Sequence, residues 1–193
     1  MNPELRIGTA ADAPAVHQLI AANVAEGHLL PRTREEIAAH IERFVVAAVD
    51  GELIGCGELA PLSDNVAEVR SLVVDERWRG RGTGAALVNA VAERGRALGF
   101  LTLSAFTHQP AHFVRLGFSI VPHAWVPEKI AHDCAGCALF RRCGQYAVSL
   151  ALQQGAGLRL VDVASQPRVA GGRRTSVERL RLVEEPARER IPA

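Results

Sequence analysis

One run, Arg79-Gly80-Arg81-Gly82-Thr83-Gly84, restricts this chain more than any other feature. It follows a β-branched stretch, Ala67 to Val74, and precedes an amphipathic stretch with Leu87, Val88, Val91 and Leu98 at helical spacing. A strand must therefore deliver the chain into a glycine-rich turn, and a helix must start at once. In that arrangement the backbone N–H groups of the turn and of the helix N-terminus converge on one anion. The glycines allow close approach, and Arg79 and Arg81 add fixed positive charge that suits a diphosphate better than a single carboxylate. The loop is expected to bind pyrophosphate.

The flanking elements are read from periodicity and punctuation. Leu5 to Gly8 reads as a strand, and Asp12 caps a helix with Pro14 in its first turn. Thr33-x-x-Glu36 has the capping-box pattern before Ile37, Ile41 and Phe44. Phe44 to Val49 and Leu53 to Leu59 are apolar runs joined through Asp50-Gly51, which supplies the positive φ angles of a tight hairpin. After the central helix, stopped by Gly99, come a strand at Phe100 to Ala105, a short helix at about Ala111 to Leu116, a Gly117 stop and a strand near Phe118 to Val121. The order βααβββαβαβ predicts an α/β (α+β) domain whose central mixed sheet carries helices on both faces. The domain is expected to span 1–150, and 151–193 reads as an extension with no clear pattern.

Two other phosphate loops are disfavoured. Gly80-x-Gly82-x-x-Ala85 fits the dinucleotide fingerprint, but that fold places its glycines after the first strand and an acidic residue about 20 positions on, where Leu103, Ser104 and Ala105 stand. A P-loop needs lysine after its last glycine, and the chain's one lysine is Lys129.

Arg79-x-x-Gly82-x-Gly84 resembles the Arg/Gln-x-x-Gly-x-Gly/Ala signature of GNAT acetyltransferases, and the resemblance extends over roughly Leu5 to Val121. His112-Phe113-Val114-Arg115-Leu116-Gly117-Phe118 resembles the second signature of that family, usually Phe-Tyr-x-x-x-Gly-Phe. The resemblance implies a GNAT acyl-CoA N-acyltransferase fold and acetyl-CoA as co-substrate. It also implies that backbone groups around Leu72, Val73 and Val74 receive the pantetheine arm. Phe113 departs from the pattern, because a phenyl ring cannot protonate a leaving thiolate as the usual tyrosine does. Ser71, Thr107, His108 and water are the candidates for that proton.

Three further stretches resemble N-acetylglutamate synthases in a short form without an amino-acid kinase domain: Gly27 to Thr33, Ala67 to Leu72, and Val126 through Lys129 to Cys134. This resemblance implies acetylation of the α-amine of L-glutamate, the first step of arginine biosynthesis. It casts Glu68 as general base, Ser71 near the thioester, and Arg32 and Lys129 as carboxylate clamps. The chemistry requires both a base for the α-ammonium and cations for two carboxylates. Arg70 alternates with Glu68 and is read as sharing a strand face with it and with Leu72. The alternatives are another small-molecule or protein amine, or a non-catalytic acyl-CoA-binding module, the latter motivated by Phe113.

His132, Cys134, Cys137 and Cys143 are a weak metal candidate, because a structural zinc site usually pairs two separated Cys-x2-Cys or His motifs; no metal is expected. Reduced thiols fit better than a disulfide framework. Lys plus Arg number 22 against 21 Asp plus Glu, so no positive field favours nucleic acid. Met1 to Arg6 lacks a basic region followed by an apolar one, and no apolar run approaches membrane-spanning length. A cytoplasmic protein is expected, with no membrane partner, and a homo-oligomer is compatible with the sequence.

Overall fold

The computed structural model describes residues 3–24 and 29–153. Gly27 and His28 of the synthase-like stretch, and the 154–193 part of the extension, lie outside the described residues.

Seven strands form one sheet: β1 (Glu4–Ile7), β2 (Phe44–Val49), β3 (Glu52–Pro61), β4 (Val66–Val74), β5 (Thr102–Thr107), β6 (Ser119–Val121) and β7 (Tyr146–Ala151), in the order β1-β2-β3-β4-β5-β7-β6. Every neighbouring pair is antiparallel except β4 with β5. The helices are α1 (Ala13–Val24), α2 (Arg34–Ala39), α3 (Thr83–Ala97) and α4 (Pro110–Val114). A turn at Pro127–Lys129 runs on as a π-helical turn, Ile130–Cys134. Helices cover both faces, as the element order implies. Leu87, Val88 and Val91 of α3 and Phe113 of α4 pack with Val45, Ala47, Val69 and Leu103 on one side. Val16 and Ile20 of α1 and Ile37 of α2 pack with Phe44, Val46 and Val73 on the other. No helix among the described residues is long and apolar enough to cross a membrane.

The Thr33 capping box and the hairpin turn act as the sequence predicts, whereas Asp12, expected to cap α1, ends the 3-10 turn Ala10–Asp12, whose cap is Thr9. Thr33 Oγ1 accepts from the Glu36 N–H at 3.1 Å, and the Glu36 carboxylate accepts from the Thr33 N–H at 2.9 Å, which closes the capping box. Asp50 (φ 51°) and Gly51 (φ 83°) form the left-handed turn of the β2–β3 hairpin. Leu98 departs from expectation: it is 61% exposed, because α3 ends at Ala97 and Leu98 is already its cap. At that end of the helix the core instead closes around Gly95, where an added Cβ would lie 2.8 Å from Leu152 Cδ1.

β7 was not anticipated. It inserts between β5 and β6, pairing Thr102–Thr107 on one edge and Ser119–Val121 on the other. The strand expected at Phe118 to Val121 is therefore the sheet's edge rather than the neighbour of β5.

The entry to α1 offers a test of stability. Asp12 accepts two hydrogen bonds from the Arg6 guanidinium, at 2.7 and 2.8 Å, and others from the N–H and hydroxyl of Thr9. The bond from Arg6, opposed by burial and helped by Thr9, holds its carboxyl well below the usual carboxylate range. A depressed folded-state pKa stabilises above the unfolded value, near pH 4, and that contribution is lost as pH falls further. Asp12→Ala is therefore expected to cost about 2 kcal/mol at pH 7, and the gap from the parent protein should narrow by pH 3. Urea denaturation at both pH values measures it.

Candidate active site

Where β4 and β5 part, the sheet opens. Their parallel ladder runs from Val66 opposite Thr102 to Glu68 opposite Ser104, with the Ser104 hydroxyl donating to the Ala67 carbonyl at 3.1 Å. Beyond it β4 stays with β3 as far as Val74, whereas β5 stays with β7 as far as Thr107. The facing backbone edges of β4 and β5 thus diverge into a wedge at the strands' carboxyl ends, where a strap of extended ligand can take up backbone hydrogen bonds.

A bulge shapes one wall of that wedge. Cys56 faces Val73 and Glu58 faces Arg70, so Ser71 and Leu72 together oppose Gly57. Ser71 has φ 48°, the left-handed region. The extra residue reverses the alternation. Before it, Val66 joins the cluster with Phe106 and Val126, the side on which Glu68 and Arg70 lie. After it, Leu72 and Val74 pack with the α3 side of the core, and Val73 turns to the α1 side. The expectation that Leu72 shares a face with Glu68 and Arg70 is therefore corrected, because the Ser71 bulge intervenes. The bulge leaves Cys56 fully buried, with its thiol directed at the Ser71 carbonyl at 3.6 Å. Burial, reinforced by the charge of Glu58, pushes that thiol up to about 12.

The glycine-rich loop lies at the wedge mouth. Gly80 (φ 75°) and Gly82 (φ 85°) are both left-handed, and Gly82 is the N-cap of α3 with no side chain to occupy the first-turn N–H groups. A Cβ at either glycine would meet no protein atom within 4 Å, so the space in front of the helix is open. Arg79 donates to the Val74 carbonyl at 3.1 Å and to Asn23 of α1, bracing the loop. Arg81 lies over the Trp78 ring at 4.9 Å. Thr83 is buried, and the His112 ring lies beside Gly84, 3.6 Å from where its Cβ would be. Burial, then the charge of Arg115, lowers the His112 pKa.

On the α1 side of the sheet the polar residues expected from sequence come together. Glu68 is buried on β4 and accepts from Arg70 Nε at 2.6 Å and from Lys129 Nζ at 2.8 and 2.9 Å. Arg32, one residue before the α2 cap, donates to Glu58 Oε2 at 2.9 Å. Glu58 is buried on β3 directly opposite Arg70. Asp133 accepts from Arg70, takes Lys129 Nζ at 2.8 Å and pairs with His132 Nδ1 at 2.7 Å. Burial alone would raise the Asp133 pKa, but the hydrogen bonds from Lys129 and His132 and the charges of Lys129 and Arg70 lower it overall. Burial likewise works against the Arg70 charge, and Glu68 and Asp133 more than restore it. Lys129 Nζ also lies 5.1 Å from the Phe106 ring centroid.

Glu58 carries no motif and Asp133 was given no role within its synthase-like stretch, yet each left a physical trace. Glu58 is a charge inside an apolar strand, which must find a partner when buried. Asp133 stands four residues after Lys129 in a helical stretch. Of the candidate acids, Ser71 sits in the bulge, Thr107 Oγ1 accepts from the Gln109 N–H at 3.0 Å, and His108 lies against Gly144. Phe113 is buried edge-to-face on Phe118 at 5.2 Å, which makes it a core residue.

Among the described residues no three His, Cys, Asp or Glu side chains are arranged to hold a metal ion. His132 is taken by Asp133, the Cys137 sulfur accepts from the Leu139 N–H, and the Cys143 thiol is directed at Gln145. All four cysteines are free thiols.

The pattern of the acetyltransferase (GNAT) family matches residues 14–118. An uncharacterised N-acetyltransferase of Chlorobaculum tepidum is 33% identical over 138 residues, which is 72% of this chain and 89% of that protein. An amino-acid acetyltransferase of Pasteurella multocida is 30% identical over 127 residues, covering 65% of this chain but 29% of that protein. The N-acetylglutamate synthase of Neisseria gonorrhoeae, solved with coenzyme A and N-acetyl-glutamate, superposes with a TM-score of 0.71 at 24% identity, over 80% of this chain and 36% of that one. The chain thus spans about a third of these two longer relatives.

Proposed function

The chain belongs to the acetyltransferase (GNAT) family, and from that premise we propose that it transfers acetyl from acetyl-CoA to the α-amine of a carboxylate-bearing amino acid, L-glutamate first. Acetyl-CoA is the co-substrate. One observation carries the acceptor assignment: Arg32, Arg70 and Lys129 converge on the sheet face that also holds Glu68. Cations at fixed positions recognise carboxylates, and a carboxylate among them can take a proton.

In this reading the open backbone of the wedge receives the pantetheine arm beside Leu72, Val73 and Val74. The N–H groups from Gly80 to Gly84 receive the pyrophosphate, with Arg79 and Arg81 framing the loop. Glu68 removes a proton from the α-ammonium, directly or through water. The amine attacks the thioester carbonyl, the C–N bond forms and the C–S bond breaks. The departing sulfur takes its proton from Ser71, Thr107, His108 or water, since Phe113 has none to give. Substrate carboxylates engage Arg32, Arg70 and Lys129, which sets the α-amine beside Glu68. Placement in arginine biosynthesis and in the cytoplasm, and a 151–193 extension to a 1–150 catalytic domain, belong to the same proposal.

The test is thiol release from acetyl-CoA with glutamate, glutamine, aspartate, ornithine and spermine. Turnover highest with glutamate is the expected result. Preference for spermine or ornithine would replace the acceptor and discard the clamps. Cofactor binding without thiol release from any acceptor would favour a non-catalytic module.

A further inference from the structure

The cations read as substrate clamps are already engaged by the protein's own carboxylates. Arg32 is held by Glu58, while Arg70 and Lys129 are shared between Glu68 and Asp133. With these three carboxylates facing three cations, and Glu36 also 3.6 Å from Arg32, the cluster offers no surplus charge to an incoming anion. The carboxylates are unequal, however. The side chains of Glu58 and Glu68 are 2% and 4% exposed, whereas that of Asp133 is 31% exposed and makes its remaining pair with the exposed His132. Asp133 is also the one of the three that lies outside the sheet, on the π-helical turn. Such turns recur at functional sites.

We infer that Asp133 is a built-in substrate mimic, which occupies Arg70 and Lys129 until the carboxylate of the acceptor takes its place. The exchange replaces one carboxylate with another on the same two donors, so it conserves charge and hydrogen bonds. It also gives selectivity, because an acceptor without a carboxylate cannot displace Asp133 and leave the cations paired. Asp133 thereby acts as a specificity-determining residue, setting acceptor affinity by competition. This inference rests on the carboxylate-bearing acceptor proposed above.

Asp133→Asn keeps the shape and removes the charge. The full-length variant is expected to bind glutamate more tightly, with KM falling by roughly fivefold to tenfold, the scale of one net hydrogen bond. The KM for acetyl-CoA serves as the internal control. A residue that merely held Lys129 in position would produce the reverse, a higher glutamate KM. Calorimetry with glutarate, a dicarboxylate without the amine, separates the inference from the acceptor reading. Tighter glutarate binding by Asp133→Asn supports exchange even if another amine is acetylated. Equal or weaker binding, or no glutarate binding by either protein, overturns it. Asp133→Ser, checked by thermal unfolding, substitutes if the carboxamide variant does not fold.

Discussion

Glu68→Gln is expected to lower kcat for acetyl transfer by about two orders of magnitude, the usual scale for a lost general base. The substitution is nearly isosteric, so it separates charge from shape. Glu68 is buried and accepts from Arg70 and Lys129, so the amide also places N–H groups against cations that keep Asp133 as their other partner. Some stability is therefore lost, since a buried pair broken on one side leaves charge uncompensated. Rates must be compared well below the unfolding transition, with saturating acceptor. A proton-transfer role predicts the fall in kcat with little change in the KM for acetyl-CoA or for the acceptor. A fall smaller than about threefold would leave Glu68 as an anchor for Lys129 and require another base.

Such a test can be framed because much of the site is local in sequence. The glycine-rich loop, the Thr33 capping box and the Asp50-Gly51 turn each depend on a few consecutive residues whose backbone demands are written in their side chains. Glu68, Arg70, Arg32 and Lys129 were selected by their chemistry and by resemblance, and the structure brings them to one face.

The misplacements have a common cause, dependence on distant partners. Tyr146 to Ala151 becomes a strand by entering the gap between β5 and β6, and nothing within that hexapeptide announces the gap. Leu72 was assigned the wrong face because regular alternation cannot register the left-handed Ser71; serine is not a residue that signals such a conformation. Leu98 fits the apolar periodicity of α3 but falls beyond its last turn, where Gly95 and Leu152 close the core instead. Glu58 and Asp133 required knowing where Arg32 and Arg70 point, which is a tertiary fact. Ion pairs across 26 and 63 residues of chain leave no local pattern.

Gly82→Ala is expected to weaken CoA binding about 30-fold or more while costing only about 1 kcal/mol of stability. The two effects have different origins. Gly82 sits at φ 85° as the cap of α3, and an alanine there pays the intrinsic left-handed penalty without a clash, since nothing lies within 4 Å of its Cβ. In the proposed binding mode the phosphate reaches the first-turn N–H groups through that empty space, so a methyl group that the protein tolerates obstructs it. Gly51→Ala supplies the matched control. Gly51 has φ 83°, its Cβ also meets nothing within 4 Å, and it lies in the β2–β3 turn rather than in the loop. Both variants should lose similar stability in urea denaturation, and CoA affinity by calorimetry should fall in Gly82→Ala alone. Equal CoA affinity in the two would mean that Gly82 serves only to join strand to helix, and the phosphate would have to be held by other groups of the loop.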